Sequence, residues 1–351
     1  MQQTKLGLGF MRHDLNGDSQ CIVDYAMANG INYFETCYFY LNHECENFVY
    51  SLLKPYARST YEICGKLSMI EAFANDANYK NMYYEQLKRV PQGYFDVYIL
   101  QTLAPSAYYQ IFGTDLIEFF TREKEKGNII KFGFSEQCHA NLLNKFLKTD
   151  CWEIAQMPLN YYDWHLCEKD INYKLITEKN IPIIAQAPFK GGLLAQFPEH
   201  IKTYLIDYYN RPLDQLAMDF VNDKHPNIIL TGCHRMGTLI DCINAHNNYQ
   251  PIKDEQGILN ALDMYKDFVK VPCLMCEKCQ QVCPANIPLS LHMTMFNKAL
   301  YNKKYFESYA LQNWIGGFPL HQCTYCGHCV DVCPMKIDIP RKLQDIFELR
   351  T

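Results

Sequence analysis

Residues 31–37 read INYFETC, with DSQCIVDYAMAN (residues 18–29) before them and ENFVYSLLKPY (residues 46–56) after. The centre is short and rich in β-branched and aromatic side chains, as a strand is, while its flanks space apolar residues three and four apart, as amphipathic helices do. A strand set between two helical runs is the unit from which parallel sheets are built. Working outward, the same rhythm recurs. KLGLGFM (5–11) precedes it, and YEICGKL (61–67), DVYILQTL (96–103), IIKFGFS (129–135), EIAQMPL (153–159), IPIIAQAP (181–188) and NIILTGC (227–233) follow. Helical runs separate these candidates, and one of them, TDLIEFFTREKEKG (114–127), ends on a glycine suited to a helix C-cap. Eight successive strand and helix pairs predict an α/β fold of the (β/α)8 TIM-barrel type. No GxGxxG follows the first strand, which weighs against a Rossmann sheet.

The chain has 351 residues, room for such a barrel and one small further domain. Its 48% hydrophobic and 20% charged residues are those of a folded protein with a large core. A net charge of -5 argues against a nucleic-acid partner. The opening MQQTKLGLGFMRHD lacks a basic region followed by an apolar run, and no stretch approaches the ~18 apolar residues of a membrane span. The expectation is therefore a soluble, cytoplasmic protein. In that setting the 17 cysteines are reduced thiols and metal ligands rather than disulfides.

After Tyr249 the pattern changes, which divides the chain into a barrel, residues 1–250, and a second domain, residues 251–351. The second domain contains CLMCEKCQQVCP (273–284) and HQCTYCGHCVDVCP (321–334), two copies of C-x2-C-x2-C-x3-C-P. Three cysteines at this spacing wrap one 4Fe-4S cubane and the fourth reaches across to its neighbour. The spacing thus predicts two clusters, one on Cys273, Cys276, Cys279 and Cys333, the other on Cys323, Cys326, Cys329 and Cys283. Structural zinc, the rival, usually takes two CxxC pairs separated by a longer loop. The helix-like HMTMFNKALYNKKYFESYALQ (292–312) and IPRKLQDIFEL (339–349) make this a small, mainly helical, ferredoxin-like two-cluster domain. An electron relay and a purely structural staple are both open to it.

Chemistry in a TIM barrel sits at the C-terminal ends of its strands. Those positions hold Glu35, then Tyr40 in the following loop, Lys66 and Gln101. An ammonium group within ~4 to 6 Å lowers a phenol's pKa, so a paired Tyr40 and Lys66 would make a proton donor and acceptor nearer neutrality. Among 26 tyrosines, Tyr40 is equally open to a packing role, and Lys66 to that of a surface cation.

LGLGFMR, ANGINYFETCYFY, YEICGKL, FDVYILQ, EKGNIIKFGFS, IAQMPLNYYD, APFKGGLLA and TGCHR, in that order, resemble the aldo/keto reductases from residue 5 to about residue 246. With the cysteine sets, the chain resembles the branch that carries a C-terminal four-iron ferredoxin-like domain. The resemblance implies a barrel that binds NADPH or NADH without a Rossmann fold and delivers hydride to a carbonyl. It makes Tyr40 the proton donor and Lys66 the residue that tunes it. Glu35 stands in the family's aspartate position, one methylene longer, and pairs with Lys66. Gln101 stands in the histidine position, where an amide donates a hydrogen bond but carries no proton. Reduction of a ketone and reduction of an activated C=C bond both remain open on that account.

The same resemblance gives Ser135, Gln156 and Asn160 the nicotinamide carboxamide, and puts Gln186 where many members stack an aromatic on the ring. Arg235 is the candidate for a 2′-phosphate, or else a solvated surface arginine. Trp164 and His165 line a substrate pocket or pack on the barrel rim. Gly191 and Gly192 allow a close backbone approach to a pyrophosphate or simply make a turn. The implied function is an iron–sulfur oxidoreductase acting on a small molecule, with a ferredoxin, a flavodoxin or another redox protein as electron partner. Hydride moves two electrons together whereas cubanes move one, and no flavin signature is present to split the pair. The rival is a redox-sensing or electron-transfer protein whose barrel has lost turnover.

Overall fold

The computed structural model describes residues 4–11, 13, 15, 17–73, 78–103, 105–138, 140–266, 271–273, 278–301, 322–333 and 335–348. The chain divides into two compact units. One comprises Met1–His165 and Lys169–Gly257, the other Leu166–Glu168 and Ile258–Thr351.

The first unit is a closed barrel of eight parallel strands in sequence order. They are β1 (Lys5–Gly9), β2 (Tyr33–Glu35), β3 (Glu62–Ser68), β4 (Phe95–Leu103), β5 (Ile129–Glu136), β6 (Ile154–Pro158), β7 (Ile183–Gln186) and β8 (Ile228–Thr231). All eight strand candidates are strands, and β1 closes the ring against β8 with Leu6 opposite Ile229. Gly133 is required at the β5 and β6 seam, because a Cβ there would stand 2.1 Å from the Ile154 carbonyl oxygen.

Tyr33, Cys64, Ile99, Ile154 and Ile184 pack together in the barrel interior and are almost wholly buried. Each buried aliphatic among them contributes on the order of 1.5–3 kcal/mol by leaving water. Side chains alternate across a strand, so the residue two further along shares the same face. That step leads from Tyr33 to Glu35, from Cys64 to Lys66, from Ile99 to Gln101, from Ile154 to Gln156 and from Ile184 to Gln186. The apolar layer of the interior therefore gives way at the C-terminal mouth to a ring of polar side chains.

The second unit is helical among its described residues, and its two cysteine sets are built alike. Short helices Lys278–Gln281 and His328–Asp331 carry the third cysteine of each set. Asn286 and Lys336 both adopt left-handed backbone, with φ of 51° and 50°. Asn286 N–H donates to the Cys283 carbonyl, and Lys336 N–H to the Cys333 carbonyl, each at 3.1 Å. Longer helices Leu289–Tyr301 and Ile339–Glu348 follow and pack on each other. Ile287, Leu289, Met293, Ile337, Leu343 and Ile346 form the apolar core with Cys279, Cys329 and Cys333. No described helix is long and apolar enough to cross a membrane.

Candidate active site and cluster module

Glu35 ends β2, and Lys66 lies on β3 opposite Ile99 of β4. Lys66 Nζ meets Glu35 Oε2 at 2.7 Å, with side-chain exposures of 1% and 4%. Burial lowers the pKa of Lys66, but Glu35, and less so Tyr40, overcome it and hold the ammonium above its ordinary pKa. Glu35 Oε2 also accepts from Gln156 Nε2 at 2.6 Å. Behind Lys66, the buried Gln86 donates to the Lys66 carbonyl at 3.1 Å and accepts from Tyr98 OH at 2.6 Å, which fixes β3 at this point.

Tyr40 follows β2 in a loop and is 5% exposed. Leu41, Asn42 and His43 are all left-handed, with φ of 53°, 55° and 70°. Each such non-glycine residue costs roughly 1–2 kcal/mol. The turn they make lets Cys45 N–H donate to the Tyr40 carbonyl at 3.3 Å as the helix Cys45–Leu53 begins. Tyr40 OH then accepts from Gln101 Nε2 at 3.2 Å, and Gln101 Oε1 accepts from Cys37 Sγ–H at 3.0 Å. Lys66 Nζ lies 6.0 Å from the centre of the Tyr40 ring.

This geometry corrects the expected acidity of Tyr40. Its pKa is raised above that of an ordinary phenol: burial dominates, Lys66 opposes it, and Glu35 offsets Lys66. The resting side chain is a firmly held acid rather than one near neutrality.

On the neighbouring strands, Ser135 of β5 pairs with Gln156 of β6 across the sheet, and both are buried. Gln156 Oε1 is buried with no hydrogen-bond partner, an acceptor that an incoming N–H would satisfy. Gln186 ends β7, half-buried, opposite Pro158.

In the second unit, Cys283, Cys323, Cys326 and Cys329 line one cavity, closed on other sides by Ile287, Leu289 and Leu343. Burial pushes the Cys329 thiol up to about 11, and Cys323, Cys326 and Cys283 add to the shift. Four thiols around an apolar cavity are a poor arrangement for bare thiolates and fit a cationic iron–sulfur core whose charge compensates theirs. Cys279 and Cys333 belong to the same small core, and Cys273 packs against it. Cys276 falls outside the described residues.

The aldo/keto reductase family profile matches residues 5–207. The chain belongs to the aldo/keto reductase family. A 4Fe-4S dicluster domain profile matches residues 264–334. Among solved structures, an aldo-keto reductase from Klebsiella pneumoniae in complex with NADPH superposes with a TM-score of 0.59 at 15% identity, over 76% of this chain and 95% of that one. The holo form of an aldo-keto reductase from Bacillus halodurans gives 0.61 at 21%, over 73% and 91%. An uncharacterized iron–sulfur protein of Methanococcus maripaludis is 29% identical over 126 residues, 34% of this chain and 24% of that protein. NAD(P)H-quinone oxidoreductase subunit I of Gloeobacter violaceus is 36% identical over 67 residues, 19% and 27%. The chain thus spans about a quarter of the length of the curated relatives it matches.

The aldo/keto reductase barrel brings Glu35, Lys66, Gln101, Tyr40 and Gln156 into one connected group. Asn160 is committed elsewhere. Its Nδ2 donates to Asp163 Oδ2 at 2.7 Å and to the Ala187 carbonyl at 3.0 Å, while its Oδ1 accepts from Asp163 N–H. It braces the loops after β6 and β7, and Lys190 pairs with Asp163. Arg235 is exposed at the start of the helix Met236–Asn247. Trp164 and His165 pack against Phe220, and His165 pairs with Glu255 at 2.8 Å, which favours the rim-packing alternative for both. Gly191 and Gly192 have φ of 65° and 93°, a turn that only glycine makes without strain. Cys37 was not foreseen among the site residues; its position two residues after Glu35, on the same face of the chain as β2 ends, was the available signal.

Proposed function

We infer that this protein is an iron–sulfur oxidoreductase in which the barrel, residues 1–250, reduces a carbonyl or an activated C=C bond of a small molecule. The module, residues 251–351, carries two 4Fe-4S clusters that exchange electrons with a ferredoxin, a flavodoxin or another redox protein. The observation that carries this reading is the buried group in which Lys66 pairs with Glu35 while Gln101 donates to Tyr40. NADH or NADPH would supply a hydride when bound, and the clusters single electrons.

The chain's own residues handle the proton. Tyr40 keeps its phenolic proton at rest, because burial opposes ionisation, and gives it to the acceptor as negative charge develops there. The phenolate left behind faces the Gln101 N–H, with the Lys66 ammonium nearby. Glu35 keeps Lys66 charged and in place, and Gln156 steadies Glu35. Ser135 and the free Oε1 of Gln156 would hold a carboxamide, Gln186 would serve the ring and Arg235 a phosphate. Asn160 acts through the loop it braces.

The clusters take Cys273, Cys276, Cys279 and Cys333 on one side, and Cys323, Cys326, Cys329 and Cys283 on the other. The single cavity shared by Cys283 and the second cysteine set supports this crossed arrangement. Anaerobically reconstituted protein is expected to hold about eight iron atoms per chain; zinc with little iron would refute the clusters. Cys273→Ser and Cys283→Ser should each leave about four irons, and the two together close to none, since they serve different clusters. About four irons in the double variant would place both cysteines on one cluster and overturn the crossing.

A further inference from the structure

Gln101 has a donor at one end of its amide and an acceptor at the other, so its orientation decides what it does for Tyr40. Two side chains hold it. Its Oε1 accepts from Cys37 Sγ–H at 3.0 Å and its Nε2 donates to Tyr40 OH at 3.2 Å. Cys37 is fully buried; its Sγ also lies 3.8 Å from the Lys66 carbonyl, a second acceptor, while the Phe39 backbone N–H faces the sulfur, so the thiol's own proton goes to an acceptor. Burial raises the thiol's pKa well above its usual value, with Lys66 opposing only in part, so the sulfur keeps its proton and acts as a donor.

We propose that Cys37 is a positioning residue for the reduction: its thiol holds the Oε1 end of Gln101, directs the amide N–H onto the Tyr40 oxygen, and so leaves the Tyr40 proton free for the acceptor. This rests on Tyr40 being the proton donor. With the amide turned over, Oε1 would take the Tyr40 hydroxyl proton into a hydrogen bond, and Nε2 would face a thiol sulfur, a weak acceptor. A phenol engaged that way is a poorer acid toward substrate. In the observed orientation one proton passes from Tyr40 to the acceptor, whose oxygen or carbon forms the new bond to it. Gln101 and Cys37 keep all of theirs, and the Gln101 N–H remains on the phenolate.

Two measurements test it, and they separate this inference from the reading on which it rests. In the infrared, the wild-type minus Cys37→Ala difference should contain an S–H stretch displaced to lower wavenumber by hydrogen bonding. That band should shift toward the unbonded position in Gln101→Leu, where only the longer contact to the Lys66 carbonyl remains. With 4-nitrobenzaldehyde and reduced coenzyme as probe, Cys37→Ala should lower kcat about tenfold, the rate equivalent of one hydrogen bond, with KM changed less than about twofold. Cys37→Ser, which keeps a donor, should recover most of the loss. An S–H band indifferent to Gln101, or an unchanged kcat in Cys37→Ala, overturns the proposal. Should wild type fail to turn over the aldehyde, the carbonyl reading loses its support while the infrared comparison still decides whether the thiol holds the amide.

Discussion

Tyr40→Phe is expected to lower kcat by roughly two to four orders of magnitude, the range general acid catalysis supplies, while coenzyme affinity stays within about twofold. The reasoning is local. The phenol is the group in the connected site that has a proton to give: Lys66 is held charged by Glu35, and neither Gln101 nor Gln156 carries an ionisable proton. Phenylalanine keeps the ring against Phe39 and fills the same space, so the loop should not collapse. Steady-state kinetics alongside nucleotide titration separates the two effects. A variant with wild-type kcat would exclude Tyr40 as the acid, and one that lost coenzyme binding would give the hydroxyl a part in holding the coenzyme rather than in proton transfer alone.

Glu35→Leu is the largest expected stability change. It strands a fully buried ammonium and removes the acceptor of Gln156 Nε2 together. Breaking one partner of a buried pair typically costs about 3–5 kcal/mol. The pH dependence gives the sign. In the wild type the folded pKa of Lys66 is raised, so its contribution is full below the unfolded lysine value near 10.4 and is lost only as pH rises toward the folded value. Without Glu35, burial is opposed far less and the folded pKa falls below the unfolded one. The variant should therefore gain stability as pH rises toward 10, where the parent's contribution from this group stays level. Urea unfolding followed by the fluorescence of the three tryptophans measures both, and Glu35→Asp should recover most of the loss. Equal stability at pH 7 would mean that Lys66 finds another partner or loses its proton at little cost.

Much of this architecture was legible in the sequence because it depends on short-range pattern. The strands announce themselves by residue type and by the helical runs between them. Once a parallel barrel is inferred, the residues at strand ends must face its mouth, which is how Glu35, Lys66 and Gln101 could be singled out. The paired C-x2-C-x2-C-x3-C-P sets carry their chemistry in their spacing. What was not legible depends on closure and on desolvation. Gln156 and Glu35 are 121 residues apart in sequence and meet only across the finished barrel. Cys37 reaches Gln101, 64 residues away, for the same reason. The acidity of Tyr40 was misjudged because proximity to Lys66 can be guessed from strand ends, whereas the burial that outweighs it cannot. Asn160 turned inward to Asp163 because a capping interaction three residues away competes with any ligand, a choice that residue type leaves open.

Coenzyme binding separates a barrel that is a working nicotinamide site from one that is a relic beside an electron carrier. Anaerobically reconstituted protein titrated with NADH and with NADPH, followed by nucleotide fluorescence and by thermal shift, tests it most directly. Saturable binding of at least one of them is expected, with a matching rise in melting temperature that persists in Tyr40→Phe. No response to either coenzyme would contradict it and leave the redox-sensing protein with an inactive barrel as the reading to pursue.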